Sequence, residues 1–225
     1  MLETALRYLN REPLRQAPLL EPLRLGLCEV VFATEDGVVL RQEDTVLLAA
    51  ATEEAAARLP LPAVSCYQTT DGAVRRRLEA EVPARDHFDC RVVVYTGEPL
   101  PEPEADIRVL GPEAADFVHA HYHTVPDRDY IVGRLEAGVM LGVFVDGAPA
   151  GFIGVHDDTS MGMLEVLPEY RRRGLARALE SALINRQIAR GILPWGEVFL
   201  DNTASLRLQA GLMTDVGSVH WHFSV

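Results

Sequence analysis

The chain has 225 residues, 48% of them hydrophobic, with 33 acidic against 21 basic side chains and a net charge of −12. This length and apolar content suffice for one large domain or two smaller ones, and the acidity argues against nonspecific nucleic-acid binding, which depends on neutralising many phosphates. The longest uncharged apolar stretch, VLLAAA at 46–51, is too short to span a bilayer, and MLETALRYLNRE carries charge from its third residue, so neither membrane insertion nor export is expected.

Taken in chain order, LETALRYL has helical spacing, and LCEVVFAT and VVLRQ flank an Asp36-Gly37 hairpin turn. TVLLAAA reads as a strand, TEEAAARL as a short helix, AVSCYQ as a strand, residues 71–82 as a helix and CRVVVY as a strand. Cys28, Cys66 and Cys90 lie in these apolar runs without metal spacing, which points to buried thiols in a reducing, cytoplasmic compartment. The proline-rich TGEPLPEPEAD has no periodicity and reads as a linker. ADIRVL is the next strand, and Pro112 opens the helix PEAADFVHAHYH. DRDYIVGRLEAG forms a second helix stopped by Gly138. MLGVFVDGAPAGFIGVH places Asp146-Gly147 between two apolar runs, the strongest short hairpin signal in the chain. SMGMLEVL is a strand ended by Pro168, and EVFLD is another. Between them GLARALESALINRQIARG carries Leu175, Ala178, Leu179, Ala182 and Leu183 at helical spacing and stops at Gly191. Asn202 opens the helix TASLRLQA, ended by Gly211, and VHWHF is a terminal strand.

One basic cluster interrupts this acidic chain: Arg171, Arg172, Arg173 and Arg177. The first three fall on a strand-to-helix loop, where successive backbone N–H groups converge at the positive end of a helix and can hold a phosphate. Gly174 permits close backbone approach, and Ala176 keeps the way clear. An RNA-binding adaptor built on the same arginines conflicts with the chain's acidity.

Arg171-x-x-Gly174-x-Ala176, after a strand, resembles the acyl-CoA pyrophosphate loop of the GNAT superfamily of N-acyltransferases, whose pattern is Gln/Arg-x-x-Gly-x-Gly/Ala. Leu164-x-Val166-x-Pro168-Glu169-Tyr170 resembles the family's approach to that loop, and Asn202 followed by Ser205 is similar to a further family feature. The resemblance covers residues 105–225 and implies a GNAT fold of the α/β class with a mixed sheet. The first half repeats the same element order without the motif, and Thr52-Glu53-Glu54 puts acid where phosphate would sit. Residues 1–98 are therefore expected to be a degenerate GNAT-like lobe without a cofactor site, 99–104 a linker and 105–225 the active domain. Two lobes, with LPEYRRRGLA in the second, resemble the glycine N-acyltransferase-like branch.

The resemblance implies acetyl-CoA or another short acyl-CoA as donor, a primary amine as acceptor, and no metal. It is compatible with a homodimer. Leu164, Val166, Arg171, Arg172, Arg173, Gly174, Leu175, Ala176, Asn202 and Ser205 would contact the donor, with a backbone N–H at or beside Val166 meeting the thioester carbonyl and Ser205 near the sulfur. Two positions depart from the family: Gln209 stands where a tyrosine often protonates the leaving thiolate, and Ser160 stands where the branch has a glutamate base. Substitute bases are Glu165, first choice because it is charged amid apolar neighbours, then His156, Asp157, Asp158, His220 and His222. A CoA-binding sensor or scaffold without catalysis is the alternative.

Overall fold

In the computed structural model, which describes residues 1–125 and 127–225, the contacts group the chain into two units. One contains Met1–Val94 together with Glu197–Val225, and the other Tyr95–Gly196.

In the first unit, α1 (Leu2–Leu9) buries Ala5, Tyr8 and Leu9, the i, i+3, i+4 face that its spacing predicts. Next to it lies α2 (Ala17–Arg24), which the sequence reading missed because APLLEPLR contains two prolines. Pro18 sits in the first turn, where its missing N–H is not needed, and Leu19, Leu20 and Leu23 are buried against the sheet. The hairpin β1 (Glu29–Ala33) and β2 (Gly37–Gln42) turns at Asp36-Gly37, and β3 (Thr45–Ala50) continues antiparallel to β2. After α3 (Glu53–Arg58), capped by the Thr52 hydroxyl, β4 (Cys66–Thr69) pairs parallel with β3. Then come α4 (Gly72–Glu81) and the long β5 (Ala84–Val94). β5 begins six residues before the apolar run CRVVVY. Val39, Val46, Leu48, Ala55, Ala56, Tyr67, Val74 and Leu78 form the core under α3 and α4.

The second unit begins with the expected linker, which is not loose: Asn185 accepts from the Leu100 N–H at 2.7 Å and donates to its carbonyl at 2.8 Å. The strands β6 (Asp106–Val109), β7 (Met140–Val145), β8 (Ala148–Val155) and β9 (Met161–Val166) form an antiparallel run. α5 (Ala115–His121), entered through a 3-10 turn at Pro112–Ala114, and α6 (Arg128–Glu136) pack Val118, Ile131 and Leu135 on Met140, Phe152 and Met163. α7 (Leu175–Ala189) packs separately across β7, β8 and β9 and buries Leu179, Leu183 and Ile184. β10 (Trp195–Phe199) starts in this unit and pairs parallel with β9 at Gly196↔Met161. The hairpin at Asp146-Gly147 is formed as predicted, both residues having positive φ.

The chain then returns to the first unit through α8 (Thr203–Ala210) and β11 (Thr214–Ser224). β11 lies between β4 and β5, antiparallel to both, with pairing to β5 running from Thr214↔Val94 to Ser224↔Ala84. Each unit thus combines parallel and antiparallel pairing with covering helices, the mixed α/β class expected. The order hairpin, strand, helix, strand, helix, strand occurs twice along the chain. No helix among the described residues is long and apolar enough to cross a membrane.

Candidate functional site

Two features of β9 set the geometry of the second unit. Between the registers Phe152↔Glu165 and Gly154↔Gly162, β8 contributes one residue and β9 two, so β9 bulges at Met163–Leu164, with Met163 at φ 53°. Within the unit, the other edge of β9 is paired only at Met161. The backbone of 163–166 on that edge therefore faces no strand of its own unit, and an extended ligand can be met there by strand-type hydrogen bonds.

The edge leads into the arginine loop. Leu167 is followed by a 3-10 turn at Pro168–Tyr170, and two residues then take left-handed backbone: Arg172 at φ 61° and Gly174 at φ 78°, the latter the N-cap of α7. The N–H groups of Arg172, Arg173, Gly174, Leu175 and Ala176 have no protein partner among the described residues. They form the concave set of donors at a helix start that suits a phosphate. A Cβ built on Gly174 would meet no atom within 4 Å, so the space before the loop is open. Arg171 does not extend into it: its Nη2 donates to Glu165 Oε1 at 2.9 Å and its Nε to the Val166 carbonyl at 2.8 Å. Arg173 lies over the Tyr170 ring and donates to the Glu169 carbonyl. Arg171 and Arg173 thus build the loop, while the backbone supplies the donors.

At the other end of β9 stands a polar cluster. His156 follows β8 and its Nδ1 lies 2.6 Å from Tyr130 Oη of α6, with the rings stacked at 6.0 Å. The turn after it is held by the His156 N–H donating to the Ser160 carbonyl, and by the Ser160 N–H and O–H donating to Asp158 Oδ1 at 2.8 and 2.6 Å. Trp195 Nε1 pins the same turn through the Thr159 hydroxyl. Burial pushes the His156 imidazole below its usual range, against the pull of the Asp158 and Asp157 carboxylates. Burial also raises Asp158, partly offset by His156 and the two Ser160 donors, and raises the Tyr130 phenol. Sequence reasoning named His156, Asp157, Asp158 and Ser160. It missed Tyr130, which sits 26 residues upstream in a helix with no local mark of its contact.

The remaining predicted residues belong to the first unit. Asn202 caps α8, its Oδ1 accepting from the Ser205 N–H at 3.1 Å. Gln209 is buried on the same helix. On β11, His222 donates from Nε2 to the Val82 carbonyl at 3.0 Å, and His220 Nδ1 lies 3.0 Å from Asp89 Oδ1, a carboxylate that Arg75 also holds. Among the described residues no group of three His, Cys, Asp or Glu is arranged to hold a metal.

His220 is 3% exposed, and burial is the main cause of its lowered pKa, with Asp89 opposing and Arg75 reinforcing the shift. A pKa lower in the folded than in the unfolded chain means that the unfolded state binds more protons between the two values. Stability is then complete above the ordinary histidine value and falls as pH drops through it, by at most about 1.4 kcal/mol per pH unit for one group. His156 acts in the same sense. Scanning calorimetry should show the melting temperature falling from pH 7 to 5.5, with a shallower slope in His220→Gln; an equal slope in that variant would assign the loss to other groups.

Residues 107–210 match the model of the acetyltransferase (GNAT) family. No curated protein matches the chain. Among solved structures the chain is similar to a Drosophila protein, at 23% identity and TM-score 0.65 over 84% of this chain and 74% of that one. It is similar to an acetyltransferase of the GNAT family from Colwellia psychrerythraea, at 11% identity and TM-score 0.56 over 87% and 84%. A GCN5-related N-acetyltransferase from Kribbella flavida matches at 14% identity and TM-score 0.59 over 94% and 95%. At these identities the likenesses establish the fold.

Proposed function

We propose, from the match of residues 107–210 to the GNAT acetyltransferase family, that the chain is an acyl-CoA-dependent transferase and that it transfers an acyl group, acetyl or another short one, to a primary amine of a small molecule, amino acid or peptide. The observation that carries this reading is the loop from Arg171 to Ala176, whose unpartnered N–H groups face open space at the start of a 15-residue helix. The pyrophosphate would lie over that loop, and the acyl arm would run along the edge of β9 at Leu164–Val166, where a backbone N–H polarises the thioester carbonyl. The bound acyl-CoA supplies the activated carbonyl and a thiolate leaving group.

The domain division that accompanies this reading is a degenerate lobe over 1–98, without a donor site, a connection at 99–104 and the acyltransferase domain at 105–225, as in the glycine N-acyltransferase-like branch. At the first lobe's counterpart of the phosphate loop, Glu53 and Glu54 occupy the first turn of α3. The Ala50 N–H donates to Asp71 Oδ2, and Arg15 pairs with Asp71 Oδ1 at 2.6 Å. The chain's own carboxylate there takes a donor that an acyl arm would need.

The test is thiol release from acetyl-CoA across a panel of amino acids, polyamines and peptide amino termini, run beside calorimetric titration with CoA. Binding without release for every amine would favour a CoA sensor or scaffold, a reading that rests on Gln209 in place of a thiolate-protonating tyrosine and on a Ser160 hydroxyl committed to Asp158. Absence of binding would refute both.

Glu165, the first-ranked base by sequence, is here the ion-pair partner of Arg171. Both side chains are partly exposed, and such pairs contribute about 0.2–1 kcal/mol. Glu165→Gln should therefore weaken CoA binding less than about fivefold and lower turnover no further. A 10²- to 10⁴-fold loss of turnover at unchanged affinity, the usual worth of a positioned base, would return the role to Glu165.

A further inference from the structure

We propose that His156 takes the proton of the incoming amine through Nε2, and that Tyr130 and Asp158 are the positioning residues that aim it and balance its charge. This rests on the acyl-transfer reading above. The imidazole projects from the end of β8 on the face shared with Phe152, which α5 and α6 cover. Its Nε2 lies directly over β9: a Cβ built on Gly162 would sit 2.6 Å from that nitrogen, so glycine is required there for the ring to lie down on the strand. Gly162 is the residue before the bulge at Met163, where the singly paired edge of β9 begins. From the arginine loop an extended ligand following this edge runs back towards His156; four residues of strand separate Val166 from Gly162, about 13 Å at the usual rise. The donor's anchored end and the proposed base thus lie at opposite ends of one strand edge.

The ring is fixed on its other side. With its proton on Nδ1 donated to Tyr130 Oη at 2.6 Å, the neutral imidazole keeps the lone pair of Nε2 free. Tyr130 is placed by the start of α6, where Asp127 Oδ1 accepts from the N–H groups of Asp129 and Tyr130. The charged groups around the imidazole are Asp157 and Asp158 in the turn and Arg134 on α6, whose guanidinium lies 5.9 Å from the Tyr130 ring centre. The two carboxylates stabilise an imidazolium, and Arg134 opposes it.

The proton balance follows. The acceptor ammonium gives one proton to Nε2, breaking one N–H bond and forming another. The freed lone pair forms the C–N bond at the thioester carbonyl as the C–S electron pair departs on sulfur. The second N–H proton leaves as the amide forms; of the two protons released, one ends on the thiolate and the other in water.

The experiment measures kcat/KM against pH with acetyl-CoA and the best amine of the panel, and also the slow hydrolysis of acetyl-CoA, in which water is the acceptor. His156→Gln should lower turnover 10²- to 10⁴-fold, leave calorimetric CoA affinity within twofold of the parent and abolish the acidic limb. Tyr130→Phe, which keeps the ring but loses the oxygen, and Asp158→Asn, which loses the charge, should each move that limb to lower pH, a change that a purely structural role would not produce. Nitrogen-15 imidazole spectra should show the Nδ1–H tautomer of His156. Full activity or an intact limb in His156→Gln, a neutral Nε2–H tautomer, or loss of CoA binding in that variant would each overturn the proposal while leaving the acyl-CoA reading in place. A parent protein that binds CoA but releases thiol to neither amines nor water would instead overturn the acyl-transfer reading, and this proposal with it, in favour of the sensor, and a parent that fails to bind CoA would refute both readings.

Discussion

Gly174→Glu is expected to abolish CoA binding, weakening it by at least about a thousandfold, or roughly 4 kcal/mol. Three effects add in this variant. Gly174 has φ 78° and ψ 0°, a left-handed conformation that costs any residue with a Cβ about 1–2 kcal/mol. The new side chain enters the open space in front of the loop, since a Cβ there meets nothing within 4 Å. Its carboxylate then competes with the ligand phosphate for the free N–H groups at the start of α7 and repels it. Gly174→Ala retains only the strain and should cost about tenfold. Calorimetric titration separates these outcomes, and an affinity for CoA untouched by the glutamate would remove the loop from the site.

The fragment 102–225, cut at the linker that the sequence suggests, is expected to aggregate, or to melt at least about 10 °C below the whole chain. That fragment carries β11 but neither of its partners. In the intact protein β11 is hydrogen-bonded along one edge to β5 and along the other to β4, with Val219, His220 and His222 buried between them. Without them, an eleven-residue strand bearing Trp221 and Phe223 exposes two open edges, the arrangement that favours intermolecular pairing. Light scattering and thermal melting of the fragment provide the measurement. A fragment that stayed monomeric and melted like the parent would show that β11 contributes little to stability.

Local chemistry made much of this fold readable. The Asp-Gly pairs gave both hairpins, helical spacing gave α1 and α7, and Pro168 with Gly174 bounded the arginine loop, because in each case the deciding interaction lies within a few residues. The first half of β5, RDHFD, has no strand signal of its own and is extended because β11 pairs with it from more than a hundred residues away. α2 escaped notice for the opposite reason: tertiary burial of Leu19, Leu20 and Leu23 outweighs the prolines. In the candidate site, the loop was legible and the orientation of its arginines was not. MGMLEV reads as an ordinary strand, and nothing in it announces that Met163 takes a positive φ. The contact between Tyr130 and His156 depends on how α6 lies across β8, which only the assembled core determines.

The return of β11 to the first unit also orders events during synthesis. Residues 1–94 leave the ribosome with β4 and β5 made but the strand between them still unmade, while Tyr95–Gly196, a continuous stretch, can pack as soon as it emerges. At translation rates of about 5–20 residues per second, the amino-terminal half waits on the order of ten seconds with two strand edges unpaired. The unit that starts first is finished last, and its interval of exposure is where a nascent-chain chaperone would have most to protect.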